Sequence, residues 1–221
     1  MKTLRIALFA LPVAAAVFST QAAEQKPITL ELPKPIKIGT PVPIKGVRNL
    51  DPNVADPAPL MIPADATVIS AGKTVTSSDA YPVIGELPLI TDGDKEGSDG
   101  SFVELGPDVQ WVQIDLGAPQ EVNAVALWHF HSQDRVYHDV IVQISNDADF
   151  VEGVTTVYNN DDDNSSGMGV GKEFSYKETF KGRVIDGKGT VGRYVRCSSK
   201  GSTANEMNHY IEVEVWGRAK K

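Results

Sequence analysis

The 221 residues suffice for one domain of ordinary size with extensions, and the 41% hydrophobic and 23% charged fractions are those of a globular chain. With 29 Asp and Glu against 21 Lys and Arg, the acidic balance opposes a nucleic-acid binder that works through phosphate contacts. Cys197 stands alone, so neither an intramolecular disulfide nor a cysteine-built zinc site is available. Past the first two dozen residues no run reaches the roughly 18 apolar residues of a membrane span, and no transmembrane segment is expected in the mature chain.

Residues 1–23 have the order of a secretory signal: Lys2 and Arg5, an apolar run from Ile6 to Phe18, then the small-residue stretch Ser19-Thr20-Gln21-Ala22-Ala23. Export without disulfides predicts a secreted or periplasmic protein of a bacterium. Residues 24–65 carry nine prolines, at 27, 33, 35, 41, 43, 52, 57, 59 and 63. Each proline fixes φ and removes a donor, so this stretch is an extended arm rather than a helix or a central strand. The alternating Ile36, Ile38, Val42 and Ile44 would let it lie along a surface as a strap; a disordered tether is the alternative.

From residue 66 to 218 the punctuation is that of an all-β domain: glycines and Asn/Asp clusters separate short apolar segments. Alternation predicts strands over 112–116, 136–144 and 211–215, with further strands over 122–130 and 193–198 and single helical turns near 86–90 and 147–151. Seven or eight short strands predict a β-sandwich or jelly roll. Trp111, Trp128 and Trp216 fall in strands and are assigned to the core, as is Cys197.

Six blocks stand in order along this region. They are Gly72-Lys73-Thr74-Val75-Thr76-Ser77-Ser78, Ile90-Thr91-Asp92-Gly93-Asp94, Trp111 to Gly117, Tyr137-His138-Asp139-Val140 through Ser145, Gly192-Arg193-Tyr194-Val195-Arg196, and Ile211 to Gly217. Together they resemble the coagulation factor 5/8 type C family, also called discoidin, whose bacterial members include galactose-binding-like carbohydrate-binding modules. The resemblance implies a jelly roll whose loops at one end bind sugars, lipid headgroups or proteins, without catalysis. Two features depart from the family pattern: Phe102 follows the aspartate-glycine block where a tryptophan is usual, and the 159–171 loop is long and acidic.

The segment from Asp92 to Ser101 packs four acids and three glycines into ten positions, a composition that suits the six to eight oxygens of Ca²⁺. A solvated loop is the alternative. The resemblance implies a structural Ca²⁺ held by Asp92 and Asp94 with Glu212 of the last strand. The 159–167 run also offers oxygens but lacks the EF-hand order. His129 and His131, two apart, suggest a zinc or copper site with His138 or Asp139, and hence a small metal-dependent hydrolase, or else a polar binding site. No His-Glu-x-x-His helix, Gly-x-Ser-x-Gly elbow or phosphate loop is present.

The preferred function is therefore a non-catalytic module that binds carbohydrate; the alternative is a module that binds a cell-surface protein. The expected site is a loop end built from 127–138, 159–166 and 199–209. There His129, His131, Arg135, Asn160, Asn205, Asn208 and His209 supply donors and acceptors, while Tyr137 and Phe130 add an apolar face.

Overall fold

The computed structural model describes residues 24–53 and 57–220; the expected signal segment lies outside them. No helix among the described residues is long and apolar enough to cross a membrane. Among the described residues there are ten strands and one short 3₁₀ helix: β1 (Gln25–Pro27), β2 (Met61–Pro63), β3 (Thr67–Val68), β4 (Thr74–Ser77), the 3₁₀ turn Leu87–Thr91, β5 (Val103–Leu105), β6 (Gln110–His129), β7 (Ile141–Ser145), β8 (Thr155–Asn159), β9 (Arg183–Ser199) and β10 (Asn208–Ala219).

Two long strands make the sandwich. The first half of β6 pairs with β4 and with the second half of β9, while its second half pairs with β10 and the first half of β9. Both strands shift register midway, β6 around the Gly117-Ala118-Pro119 corner, where Gly117 has φ 86°. They pass from one layer to the other and remain hydrogen-bonded throughout, as bulged corner strands do. One layer is then β3-β10-β6-β9 with β5 on β10, and the other is β4-β6-β9-β7-β8. Val125, Leu127, Val213 and Ile185 of the first meet Val112, Ile114, Val142, Val195 and Cys197 of the second in one buried cluster.

The arm forms a further layer. β1 pairs with β2, and Ile28, Ile62 and Ala66 cover Ala124 of β6 together with Leu30, Leu60, Val184 and Trp216. Beside them Trp128, Ala126 and Ile211 pack on Phe102 and Phe130. The second half of β6 is therefore buried on both faces, which explains its unbroken apolar stretch.

Three local expectations need correction. Residues 122–130 and 112–116 belong to one strand, because β6 continues through its corner. Positions 136–140 do not extend β7: Asp139 adopts φ 51°, outside strand geometry, and Tyr137 makes only an isolated bridge to Ser202. A register shift between Tyr210 and Glu212 turns Ile211 to the outer cluster, whereas Val213 faces the inner one. Alternation alone put those two residues on the same face.

Candidate ligand-binding end

The connections β6–β7, β8–β9 and β9–β10 meet at one end of the sandwich. His138 N donates to Gly201 O at 3.0 Å, Thr203 N to Val136 O at 2.9 Å, Asn160 N to Val140 O at 3.1 Å and Glu178 N to Arg135 O at 2.9 Å. The three segments expected to form the loop end are thus neighbours.

Seven of the eight expected ligand-binding side chains are buried there, with only Asn205 on the surface. His129 Nδ1 lies 2.8 Å from Glu178 Oε1, and its ring stacks on Tyr137 with centroids 4.3 Å apart. His131 Nε2 is 3.0 Å from the Lys95 carbonyl, and burial holds its imidazole below the usual range. His209 Nε2 is 2.9 Å from Glu104 Oε2; burial, reinforced by the nearby Arg135 charge, pushes this histidine down to about 3, so it is neutral. Asn208 accepts from Ser199 Oγ and Gly201 N and donates to the Gly106 and Asp108 carbonyls. Asn160 Oδ1 accepts from Val140 N at 2.7 Å. Phe130, expected to add an apolar face, is also buried. These groups hold the loop end from within.

Arg135 shows how the inner cluster acts on the surface. Its guanidinium lies 4.7 Å from the Phe130 ring centroid and donates to Gln133 Oε1 at 2.6 Å. Gln133 is half-buried, and its Nε2 is the atom nearest to where a Cβ on Gly39 would stand. With the amide oxygen engaged by Arg135, the amide nitrogen faces the arm.

The arm crosses this end as a strap anchored at two points. At the first, Ile38 N donates to Ser132 O at 2.8 Å, while Lys37 Nζ reaches the His131 carbonyl at 2.9 Å and Asp134 Oδ1 at 2.8 Å. At the second, Leu50 forms a parallel bridge to Ser175, Asn49 Nδ2 donates to Asn160 O at 3.0 Å, and Arg48 pairs with Asp162 and Asp163. The span between them begins and ends on glycines with left-handed backbone, Gly39 at φ 74° and Gly46 at φ 77°.

Two clefts lie under the strap. The larger, about 520 Å³, has residues 38–44 as its roof and Ser132, Gln133, Asp134, Lys177 and Thr203 among its floor residues. The smaller, about 290 Å³, lies between Arg48 and Asn49 on one side and His138, Asp139, Asn160 and Lys200 on the other. Lys37, Gln133, Lys177 and the strap anchors were not singled out from sequence, and Asp134 only as a candidate general base for a zinc hydrolase. Their only signal was a run of arm residues from 33 to 50 with Lys34, Lys37, Lys45, Arg48 and no acid, in a chain of net charge −8.

Asp92, Asp94 and Glu212 occupy one neighbourhood, although their carboxylates do not converge as a trio. Asp92 Oδ1 accepts from Asp94 N, and Asp94 accepts from Glu96 N and Ser101 Oγ, bonds that close the loop turn by turn. Glu212 is 1% exposed and accepts from Gly93 N at 3.0 Å. Burial pushes its carboxyl up to about 8 against that bond, and the charges of Glu214 and Asp92 add to the rise. Lys95, the neighbouring cation, pairs with Glu214 at 2.6 Å. A buried carboxylate lacking its own counter-charge, beside Asp92 and a loop of carbonyls, fits a hard divalent cation; Asp94 suits the turn better than the ion. The loop also docks on the ligand end through Ser132 Oγ, which donates to Gly97 O.

Among the described residues, the group whose acidic or histidine ligand atoms all lie within 4.8 Å is Asp139, Asp161 and Asp163. No histidine joins such a group, so the pairing of His129 with His131 around zinc or copper is corrected: one ring is turned to Glu178, the other to the Lys95 carbonyl. Within the acidic trio, Asp161 already accepts from Ser165 N and Ser166 N, and Asp139 from Ser165 Oγ.

Comparison with known proteins agrees with the architecture. Residues 89–197 match a family model described as F5/8 type C, NedA-like, galactose-binding domain. A search of curated protein sequences gives no match. Among solved structures, a family 89 glycoside hydrolase from Clostridium perfringens superposes with a TM-score of 0.53 at 19% identity, over 69% of this chain and 15% of that one. The chain thus spans a small part of that enzyme. A fucose-binding module from Streptococcus pneumoniae (20% identity, 67% and 96% coverage, TM-score 0.47) is also similar. So is a chitosan-binding module from a Paenibacillus sp. IK-5 chitosanase/glucanase (24% identity, 68% and 99% coverage, TM-score 0.45). At these identities the likeness concerns the fold.

Proposed function

We propose, from the premise that residues 89–197 form an F5/8 type C, galactose-binding-like domain, that the protein is a non-catalytic carbohydrate-binding module. The observation that carries this reading is the pair of clefts at the loop end of such a sandwich, where rigid strands bring separate connections together. The larger cleft falls in the size range of small-ligand sites and combines an apolar wall with a few polar groups, as a pyranose with one C–H face and a hydroxyl rim requires, whereas the smaller is lined mainly by polar and charged side chains. In this reading the buried residues His129, His131, Arg135, Tyr137, Asn208 and His209 position the end, Asn160 lines the smaller cleft, and Asn205, which lines neither, sits on the exposed tip of the β9–β10 connection. The N-terminal signal features support secretion or delivery to a bacterial periplasm, where the partner is a glycan.

The same reading includes one structural Ca²⁺ held by Glu212 and Asp92 with carbonyls of the 92–101 loop. When bound, the ion supplies positive charge that keeps Glu212 ionised. It would thereby tie β10 to the loop that buttresses Ser132.

A glycan array probed with the purified protein, with calcium and with chelator, tests the function. Saturable binding to a defined group of glycans is expected, stronger with calcium. Absence of binding to every glycan in both conditions would refute it. The exposed Tyr81, Val83 and Ile84 after β4 favour the second reading, a cell-surface protein partner, and that reading stands if glycans fail.

A further inference from the structure

The strap makes the larger cleft a two-walled site. Its roof is apolar: Ile38, Pro41, Val42 and Pro43, with Val42 68% exposed. Its floor is rich in donors. Lys37 Nζ and Lys177 Nζ each lie 2.8 Å from a different oxygen of Asp134, so the three charges sum to one positive; Lys37, which also donates to the His131 carbonyl, keeps one further hydrogen, and Lys177 keeps donors beyond its Asp134 contact. The two lysine side chains remain about half exposed, 53% and 47%. Gln133 adds an amide N–H₂ whose direction is fixed by Arg135 through the opposite end of the amide. Thr203 Oγ1 accepts from Val136 N, which leaves its hydroxyl hydrogen to donate. The floor's one strong acceptor, Asp134, is already neutralised, so a ligand must bring the acceptors.

We infer that this roofed cleft takes an anionic saccharide, a sugar residue bearing a carboxylate, with Lys37 and Lys177 receiving the carboxylate, Gln133 a neighbouring oxygen, and the proline-rich roof covering the ring. Charge favours this choice over a neutral sugar. The protein as a whole is acidic and repels polyanions, whereas this cleft sets two lysines, Lys37 and Lys177, against one acid, Asp134. The hydroxyls of a neutral ligand would accept weaker hydrogen bonds from the paired lysines, whereas ammonium–carboxylate contacts are among the stronger ones. The arm is then part of the binding surface: Lys37 and the roof come from it, and Lys177 and Gln133 come from the sandwich.

The inference rests on the carbohydrate-binding reading and can fail separately from it. Calorimetry on the full mature chain would compare uronate oligosaccharides with the same oligosaccharides after reduction of their carboxyl groups, at low and high salt. Uronates are expected to bind at least tenfold more tightly than their reduced forms, with the difference shrinking as salt rises. Lys177→Gln, a change at an exposed side chain, is expected to weaken uronate binding about tenfold while leaving the melting temperature in place. Val42→Glu, at the exposed roof, should weaken it by a similar factor without touching the floor. If reduced and native oligosaccharides bind equally and neither variant alters affinity, the anionic cleft is overturned while carbohydrate binding survives. If no saccharide binds at all, both fall.

Discussion

Asn208 was expected to touch ligand, but its bonds make it a structural tie, and the two roles predict different outcomes for Asn208→Ala. The side chain accepts from Ser199 Oγ at 2.8 Å and Gly201 N at 2.8 Å, and donates to Gly106 O at 2.8 Å and Asp108 O at 3.0 Å. Ser199 keeps a second partner in Tyr210 Oη at 2.9 Å, so its loss is mild. The Gly201 N–H and two carbonyls lose a side-chain partner in a place that is 0% exposed. With about 1–3 kcal/mol for each buried group left unsatisfied, and some recovery through water at the loop edge, the total is about 3–5 kcal/mol. Against a typical total stability of roughly 5–15 kcal/mol, that is a large share. Urea unfolding followed by tryptophan fluorescence should show the midpoint falling steeply, and thermal unfolding should drop by roughly 10 °C. Asn205→Ala, at the exposed tip of the same connection, should stay within about 0.5 kcal/mol. A cost below about 1 kcal/mol for Asn208→Ala, with the fold intact, would refute the assignment of Asn208 as a tie.

Three further outcomes are expected. With chelator present, folded Glu212 keeps a proton that the unfolded chain loses above its ordinary 4.5, so stability is fullest below that pH and falls as pH rises toward about 8. At 1.36 kcal/mol per unit the ceiling is roughly 5 kcal/mol; Glu212→Gln should flatten this slope in urea titrations, and an unchanged slope would contradict it. Gly182→Ala meets both a left-handed backbone at φ +67° and the Trp128 ring 2.5 Å from the new Cβ; a loss of about 3 kcal/mol and a shifted tryptophan emission are expected. Burial pushes the Cys197 thiol up to about 12, so a thiol reagent at pH 8 should label it only on unfolding, at the rate that urea sets.

Strand content was legible because it is local. The alternation of 112–116 and the apolar stretch of 122–130 were plain in the sequence, and the six ordered blocks identified the sandwich. The continuity of β6 through its corner was not legible, because glycine and proline at 117 and 119 read as a strand end. Nor was the bulge at 210–212, which leaves no compositional trace. Prolines excluded a helical arm but could not say whether it docks: Ile28 and Ile62 meet Ala124 across some sixty to a hundred residues of sequence. The expected residues lie together at one end, yet polar type does not distinguish a histidine that faces water from one that faces Glu178. Gln133 and Lys177 became candidates only when Arg135 and the strap were seen beside them.

The arm's packing on β6 also bears on where the polypeptide can be cut. Composition draws the domain boundary near residue 66, at the end of the proline-rich stretch. A shortened protein beginning there would lose Ile28, Leu30, Leu60 and Ile62, and would bare Ala124, Ala126, Trp128, Val184 and Trp216 as one contiguous oily face on a sheet. Such a face invites self-association, so a trimmed protein would be recovered as aggregates or face-to-face dimers, whereas the uncut protein carries its own cover.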